Sequence, residues 1–207
     1  MAKRFVKIGA TCAAVFFAVS IVLVVLYGFL PVRYTPLMFL RQSEAFSRGE
    51  RLELKHDWVP LEQISPDLIS AVIESEDAHF YDHGGFSFGD MLDAFYRNRR
   101  SGCIVAGGST ISQQTAKNVL CTPSRPYTRK LCEAYFTVLI ELLWGKQRIL
   151  EVYLNVIELG DGIFGVESAA DEYFSTSALR LNSHQSAALT GIIPCPRCYN
   201  AWLYGGE

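Results

Sequence analysis

The 207-residue sequence predicts an all-α domain that follows one membrane-spanning helix. Residues 8–30 form an uncharged, apolar run long enough to cross a bilayer, which requires about 20 residues. Beyond this run, apolar residues recur at helical spacing between Gly and Pro boundaries. Because no segment alternates convincingly with a period of two, an all-α domain is expected.

The apolar run is interpreted as an uncleaved anchor. Lys3, Arg4 and Lys7 precede it, which predicts a cytoplasmic N-terminus and an exported remainder. A cleaved signal peptide is the alternative. Its apolar core would span about 7–15 residues and end at a small-residue cleavage site, which the stretch VVLYGFLPVRYTP lacks. The chain therefore divides into a cytoplasmic segment, an anchor, a juxtamembrane connector and the main domain: 1–7, 8–30, 31–60 and 61–207.

Helix boundaries in the main domain are predicted from capping residues. Ser65 as N-cap and Pro66 at the first helical position begin a helix that ends at Gly84. Later helices are predicted in FSFGDMLDAFYRNRR, STISQQTAKNVL, TRKLCEAYFTVLIELLWG, KQRILEVYLNVIELG, GVESAADEYF and NSHQSAALTGII. The second and third of these are expected to have Ser109 and Thr128 as N-caps.

Charge is distributed unevenly along the chain. Residues 34–207 carry 15 Lys and Arg against 21 Asp and Glu, so nucleic acid is a poor candidate partner. Residues 97–148 nevertheless hold nine basic and only two acidic residues. This basic block indicates a local anionic ligand, with a solvated basic face as the alternative.

Residues 107–118, GGSTISQQTAKN, form a strongly polar stretch. Two glycines allow the backbone to approach a ligand closely, and free N–H groups at the following helix start favour an anion such as phosphate. A polar surface helix is the alternative. Two rows of polar side chains follow at helical spacing: Ser109, Gln113 and Lys117 in one, and Thr110, Gln114 and Asn118 in the next.

The segment ESEDAHFYDHGG carries candidate acid–base chemistry. Glu76 lies towards the end of a predicted helix, where the helix dipole disfavours an ionised carboxylate, so it is a candidate general base. A solvated pair of Glu76 and Asp77 is the alternative. His79 and His83 lie one turn apart and suggest a metal site, but no ligand-rich partner segment is obvious, so structural histidines are favoured.

Two other segments add charged residues. RPYTRKLCE places Arg125, Arg129 and Lys130 at a helix start, where cations are unfavourable unless an anion binds. Glu133 either forms a simple intrahelical ion pair or holds these basic groups or a divalent cation. The segment KQRILEVYLN is favoured as scaffold rather than as catalytic machinery.

The exported part contains five cysteines, and export permits disulfides. Cys195 and Cys198 have CxxC spacing without a second CxxC or a His pair nearby, so a zinc site is not favoured. Cys103 and Cys121 flank the polar stretch and could pair, and free thiols are the alternative.

Five motifs follow one another between residues 74 and 174: EDAHFYDHGG, GGSTISQQTAKN, RKLCE, KQRILEVYLN and GIFGVESAADEYF. In this order they resemble the peptidoglycan glycosyltransferases of family 51, and the similarity extends to about residue 202. No transpeptidase domain follows, which favours the monofunctional, membrane-anchored type. The resemblance implies a lysozyme-like, two-lobed α-helical fold.

The resemblance also implies a reaction, in which lipid II is polymerised into β-1,4-linked glycan strands and undecaprenyl diphosphate is released. Glu76 matches the base that activates the acceptor hydroxyl. Glu133 matches a second catalytic carboxylate, which assists the diphosphate or its metal. The implied substrate-binding residues are Asp77, His83, Ser109, Thr110, Gln113, Gln114, Lys117, Asn118, Arg125, Arg129 and Lys130.

Further expectations concern cofactor, location and partners. The implied cofactor is Mg²⁺ or Mn²⁺, and the implied location is the bacterial inner membrane with the domain on its periplasmic side. The expected partners are lipid II, the growing glycan strand, the membrane and further cell-wall synthesis proteins, without nucleic acid. The alternatives are a lytic enzyme that cleaves peptidoglycan and a non-enzymatic membrane-anchored scaffold.

The sequence departs from the family pattern at several positions. Asp93 stands where a basic residue is usual, so Arg97 is expected to take that role. Ser87 replaces a usual Asp and Gln185 a usual Glu. The expected effect is on the second lobe or on the level of activity.

Overall fold

The computed structural model describes residues 2–102, 107–121 and 126–198. These parts form nine α-helices: α1 (Ala2–Tyr27), α2 (Pro36–Ser47), α3 (Pro66–Glu76), α4 (Phe88–Ser101), α5 (Ile111–Leu120), α6 (Pro126–Leu143), α7 (Lys146–Val156), α8 (Val166–Phe174) and α9 (Ser183–Ile192). They also form three strands: β1 (Lys55–His56), β2 (Glu158–Gly160) and β3 (Ile163–Phe164). The all-α class is confirmed. The small sheet was not predicted, because strands of two or three residues are too short to show a period of two.

The first helix, α1, has the length and composition of a membrane span. The most apolar 18-residue window of its segment Lys3–Tyr27 has a mean hydropathy of 2.6, and no second helix among the described residues meets the same criteria. The apolar run was predicted to span to residue 30, but the helix ends at Tyr27 and residues 28–30 form a turn.

The end of α1 is docked on the junction of α6 and α7. The indole Nε1 of Trp144 donates a hydrogen bond to the Val24 carbonyl at 2.7 Å. The Arg148 guanidinium donates to the Tyr27 carbonyl at 2.8 Å and to the Leu30 carbonyl at 2.5 Å. The Val24 carbonyl also accepts from the Gly28 N–H at 3.0 Å. The Tyr27 carbonyl belongs to the last turn, where carbonyls lack partners within the helix, so Arg148 satisfies a group that would otherwise need water.

The connector after α1 folds back onto the main domain. Thr35 caps α2, and β1 pairs in parallel with β3 to give the strand order β1-β3-β2. The fully buried Asn155 of α7 holds the next stretch, because its Nδ2 donates to the Val59 carbonyl at 2.8 Å and its Oδ1 accepts from the Val59 N–H at 2.9 Å. The segment KQRILEVYLN therefore acts as scaffold, as predicted.

Helix α5 is a buried central element that packs against both α6 and α7. Ser112 and Thr115 are fully buried, and their hydroxyls donate to the Glu141 carboxylate and the Ile111 carbonyl. The alternative that residues 107–118 form a polar surface helix is therefore wrong. The polar side chains of α5 face protein partners or clefts.

Three predicted helix boundaries are also wrong. Helix α7 ends at Val156 rather than at Gly160, because residues 158–160 form strand β2 and pair with β3. Helix α3 ends at Glu76 rather than at Gly84, because the backbone turns out of the helix at Asp77, whose carboxylate binds the first N–H of α5. Helix α6 begins at Pro126, before the predicted N-cap Thr128. Proline is favoured at the first helical position because it has no N–H to satisfy there.

Asn155→Leu should lower the free energy of unfolding by roughly 2–4 kcal/mol, because it removes three hydrogen bonds and leaves the Val59 peptide groups without these partners. Thermal unfolding of the detergent-solubilised chain, followed by circular dichroism, measures the effect. Gln147→Leu, at an exposed position of the same helix, is the matched control and should change stability by less than about 0.5 kcal/mol. Equal stability of the two variants would contradict the scaffold role of Asn155.

Candidate active site

The carboxylate of Glu76 is oriented by a short chain of side chains. Glu76 is the last residue of α3 and is half-buried. Gln114 Nε2 donates to Glu76 Oε2 at 2.8 Å, and the Tyr153 hydroxyl donates to Gln114 Oε1 at 3.2 Å. Burial raises the pKa of Tyr153, so its hydroxyl stays protonated at neutral pH. Tyr153 thereby fixes the orientation of the Gln114 amide and, through it, the Glu76 carboxylate.

Sequence reasoning assigned Gln114 to the substrate and did not identify Tyr153. The structure places Gln114 between Glu76 and Tyr153, so its amide has a positioning role whatever else it contacts. The sequence does carry a signal for Tyr153. A tyrosine within an otherwise apolar helix face brings a buried hydroxyl, which needs a hydrogen-bond partner.

Asp77 occupies the start of α5. Its buried carboxylate accepts from the Ile111 N–H at 2.9 Å and from His83 Nε2 at 2.9 Å. His83 Nδ1 in turn accepts from the Gly85 N–H at 3.0 Å, so both ring nitrogens are engaged. The sequence predicted an anion at this helix start, and the structure supplies one from the protein itself. His79 instead contacts Asp82 at 3.4 Å.

The N-cap of α5 is Thr110, not Ser109 as predicted. The Thr110 hydroxyl accepts from the Gln113 N–H at 3.1 Å, and Gln113 Oε1 accepts from the Thr110 N–H at 3.0 Å, which completes a capping box. The Thr110 hydroxyl also donates to the Gly85 carbonyl at 2.7 Å. Thr110 and Gln113, both expected at the substrate, therefore build the turn beside Glu76.

A cleft of about 290 Å³, here called the acidic cleft, opens beside Glu76. It lies between the end of α3, helix α4 and residues 107–110. Arg97 lines it one turn after Asp93, so the side chain expected to replace the missing basic residue reaches the same cleft. The polar residues of its lining are Glu74, Ser75, Glu76, Asp77, Ser87, Asp90, Asp93, Arg97, Ser109 and Thr110.

The two glycines before α5 have different surroundings. A Cβ on Gly108 would lie 3.1 Å from the Met91 Cα, so the absent side chain lets this segment pack closely on α4. A Cβ on Gly107 would have no neighbour within 4 Å among the described residues. The predicted close approach is therefore made at Gly108 to a neighbouring helix.

A second cleft, of about 390 Å³, lies along the C-terminal half of α5 and is here called the basic cleft. Its polar residues are Arg41, Gln114, Lys117, Asn118, Arg129 and Glu158. The Arg41 guanidinium is already paired with the Glu158 carboxylate through two hydrogen bonds of 2.7 and 2.8 Å. Lys117 and Arg129 are therefore the cations of this cleft best placed to meet a ligand. Gln114 lines this cleft while it contacts Glu76, so it joins the two clefts.

The surroundings of Lys117 in the basic cleft change its pKa. Burial lowers the pKa of Lys117, and the nearby Glu133 carboxylate opposes this effect. Glu133 is buried, and its Oε1 accepts from the exposed Lys130 Nζ at 2.5 Å. Glu133 therefore forms the predicted intrahelical ion pair and also lies near enough to Lys117 to influence its charge. Arg125, a further predicted binding residue, lies outside the described residues.

The basic block serves more than one purpose. Arg148 holds the end of α1 and pairs with Glu151. Lys146 donates to Glu141 at 2.8 Å and lies over the Phe80 ring. Only part of the block that the sequence assigned to an anionic ligand therefore faces the basic cleft.

The departures from the family pattern have local structural roles. Ser87 is the N-cap of α4, and Gln185 completes a capping box with Asn182 at the start of α9, so neither replacement leaves a helix start without a cap. Cys195 and Cys198 form a disulfide, and Cys121 is a buried free thiol. The described residues contain no group of three or more His, Cys, Asp or Glu side chains that could hold a metal ion.

Residues 43–204 match a family model described as Transglycosylase. The match covers every lining residue of the acidic cleft, and every lining residue of the basic cleft except Leu37, Leu40 and Arg41. The chain belongs to the transglycosylase family. A relative in Caulobacter vibrioides, named biosynthetic peptidoglycan transglycosylase, is 52% identical over 176 residues, which are 85% of this chain and 74% of that protein. Relatives of the same name in Bdellovibrio bacteriovorus and Bacteroides thetaiotaomicron are 47% and 43% identical, over 88% and 96% of this transglycosylase and 72% and 80% of their own lengths.

Lys117→Met should raise the free energy of unfolding near neutral pH by roughly 0.5–2 kcal/mol. Burial lowers the Lys117 pKa, so the folded state disfavours an ammonium that the unfolded chain carries freely. The gain should be full below the lowered pKa and should vanish as the pH rises to the ordinary value of 10.5, where lysine loses its charge in both states.

Urea unfolding across this pH range measures the difference. Lys55→Met, at an exposed lysine, is the control and should give no comparable gain. A Lys117→Met variant that is less stable than the parent near neutral pH would contradict the desolvation argument.

Proposed function

We propose that this transglycosylase is a peptidoglycan glycosyltransferase that polymerises lipid II into β-1,4-linked glycan strands and releases undecaprenyl diphosphate. The names of its relatives support the reaction class. The observation that carries the proposal is the arrangement of the two clefts. The Glu76 carboxylate lies in one, Lys117 and Arg129 line the other, and the side chain of Gln114 bridges them.

Glu76 is the proposed general base. Its carboxylate lines the acidic cleft, where it would take the proton from the 4-hydroxyl of the acceptor sugar. The hydroxyl oxygen then attacks the anomeric carbon of the donor from the opposite side to the leaving group, which inverts that centre. A well-positioned base typically contributes about 10²- to 10⁴-fold to the rate. Gln114 and Tyr153 keep the carboxylate turned towards the cleft.

Lys117 and Arg129 are the proposed binding groups for the donor diphosphate. They line the basic cleft, where positive charge would stabilise the negative charge that develops on the leaving group as the bond breaks. A partly buried ammonium acts more strongly there than an exposed one, because less water screens it. Asn118 completes the polar floor of this cleft. Among the other predicted binding residues near Glu76, Thr110 and Gln113 act through the capping box. Asp77 and His83 act through their hydrogen bonds at the start of α5.

A divalent cation, Mg²⁺ or Mn²⁺, is part of the proposal as a companion of the substrate. The described residues offer no closed set of protein ligands, so such an ion would arrive on the diphosphate oxygens and keep much of its water. It would supply additional positive charge to the leaving group. The contributions of Lys117 and Arg129 do not depend on it.

We also propose that α1 anchors the enzyme in the bacterial inner membrane with the clefts on the periplasmic side. The helix has the required length and apolarity, and basic residues precede it. A lipid-linked donor and a membrane-anchored enzyme meet on the same surface. Growing glycan and other cell-wall synthesis proteins are the expected partners there.

The basic cleft also weighs against the two alternatives. A lytic enzyme that cleaves finished peptidoglycan binds a glycan without diphosphate and has no use for Lys117 and Arg129 at the cleft. A non-enzymatic scaffold has no use for a base held by two successive hydrogen bonds.

Glu76→Gln should abolish polymer formation from lipid II while the fold stays intact, because the amide oxygen can still accept from Gln114 but the side chain cannot take a proton. The assay separates glycan products by gel electrophoresis, with and without Mg²⁺. Glu62→Gln, at an exposed carboxylate that lines neither cleft, is the control and should keep most of the activity. Equal polymer from Glu76→Gln and wild type would refute the mechanism, and shortening of ready-made strands would favour the lytic alternative.

Tyr153→Phe should lower kcat by about 2- to 10-fold with little change in KM, because it removes one hydrogen bond and frees the Gln114 amide to rotate. The measurement is steady-state polymerisation at varied lipid II concentration. Tyr173→Phe, which removes a hydroxyl bonded to the Leu159 carbonyl away from both clefts, is the control. A change confined to KM in Tyr153→Phe would contradict a positioning role.

A further inference from the structure

A cavity of about 460 Å³, here called the connector cavity, opens directly beyond the end of α1. Its lining begins at Pro31, shortly after α1 ends at Tyr27, and continues along the connector to Trp58. No residue of this lining also lines the acidic cleft or the basic cleft. The cavity therefore has no part in the proposed transfer reaction.

Two opposite charges line the connector cavity without pairing with each other. Within the described part of the chain, no carboxylate forms an ion pair with the exposed Arg33. Asp57 is exposed too, and its carboxylate accepts from the Ser168 hydroxyl at 3.2 Å, a neutral donor that leaves its negative charge uncompensated. Guanidinium groups bind phosphate well, and a carboxylate accepts hydrogen bonds from an ammonium. A ligand that carries both a phosphate and an ammonium complements this lining.

The surface beside the cavity is apolar and aromatic, and is here called the aromatic strip. Phe29 and Leu30, which follow α1, are 83% and 52% exposed. Tyr34 and Phe39 are 65% and 60% exposed, and their rings stack with centroids 6.0 Å apart. Aromatic side chains of this kind are enriched at the level of the lipid headgroups. Because Tyr34 belongs to both the strip and the cavity lining, the cavity lies at that level when α1 spans a bilayer.

We propose that the connector cavity binds the headgroup of a phospholipid with a primary ammonium, such as phosphatidylethanolamine. Arg33 contacts the phosphate, Asp57 accepts from the ammonium, and the acyl chains pass the aromatic strip into the bilayer. A primary ammonium is preferred to a quaternary one because only the former has N–H groups to donate. The Trp58 ring is poorly suited to a quaternary ammonium, since the Arg148 guanidinium already lies 5.1 Å from its centroid. An anionic headgroup without an ammonium leaves Asp57 unpaired.

The bound headgroup would lie beside the contacts that hold the end of α1. Arg148 donates to the Tyr27 carbonyl and also lies over the Trp58 ring, so it joins the anchor to the cavity lining. The lipid would thereby add a further contact between the connector and the membrane surface. The inference rests on the proposed anchoring of α1 in a membrane and is independent of the transfer reaction.

Native mass spectrometry of the full chain in detergent tests the site with three short-chain (dihexanoyl) lipids: phosphatidylethanolamine, phosphatidylcholine and phosphatidylglycerol. Wild type should bind the ethanolamine lipid about tenfold more tightly than the other two, as expected for one charge-assisted hydrogen bond. Asp57→Asn should abolish this preference, because the amide oxygen can still accept from Ser168 but carries no charge. Arg33→Gln should weaken the binding of all three lipids by roughly tenfold.

Glu53→Gln and Arg51→Gln are the matched controls, at exposed positions of the same connector outside the cavity lining, and should bind as wild type does. Equal affinity of wild type for the three lipids would overturn the proposal. A preference for the ethanolamine lipid that survives Asp57→Asn would do the same, as would an equal loss of binding in Arg33→Gln and Arg51→Gln.

Lipid retained from a bilayer gives the second measurement. The chain is reconstituted in vesicles of equal parts of the three lipids with long acyl chains, extracted in mild detergent, and its bound lipid is identified. Phosphatidylethanolamine should be enriched on wild type but not on Asp57→Asn, and retention in the vesicle proportions would refute the site. Protein that stays outside the vesicles would refute the anchoring on which the site depends. Polymer formation from lipid II is assayed on the same samples, so a failure of the transfer reaction is recorded separately.

Discussion

The hydrogen bonds of one buried carboxylate hold the centre of this protein together. Asp77 accepts from the first N–H of α5 and from His83, and this joins the end of α3 to the start of the central helix. An ionised acceptor at a helix N-terminus satisfies an otherwise unpaired donor and interacts favourably with the helix dipole. Because Glu76 is the adjacent residue, the contact that stabilises the fold also fixes the position of the proposed base. The capping box of Thr110 and Gln113 and the turn at Gly85 are built around the same junction.

The two ends of helix α5 face two different clefts. Its N-terminus is closed by protein groups and faces the acidic cleft, whereas Lys117 near its C-terminus faces the basic cleft. A cation near a helix C-terminus is favoured by the dipole, but burial disfavours it, and the lowered Lys117 pKa indicates that burial dominates. The ammonium at this position therefore costs stability, which agrees with the binding role proposed for Lys117.

Much of the helical fold could be predicted from sequence, because α1 is marked by its apolar run and several helices by their caps. The errors lie where tertiary contacts override local pattern. Glycines at 84 and 85 indicated a helix end, but Asp77 ends α3 earlier through a contact 34 residues away in sequence. The Thr110 cap was within reach of sequence reasoning, since Thr110 and Gln113 have capping-box spacing. The role of Tyr153 as a partner of Gln114 was not, because it depends on how separate helices pack.

The side chains that close the last turn of α1 have a mechanical consequence. Trp144 and Arg148 bind its carbonyls directly, so the orientation of α1 relative to the rest of the domain is fixed at this end. With α1 in a bilayer, both clefts would be held at a fixed height and tilt relative to the lipid surface. With the proposed lipid-linked donor, the enzyme would then search for its substrate in two dimensions rather than three. Loosening these contacts would leave the chemical step intact but would slow the encounter of the clefts with substrate.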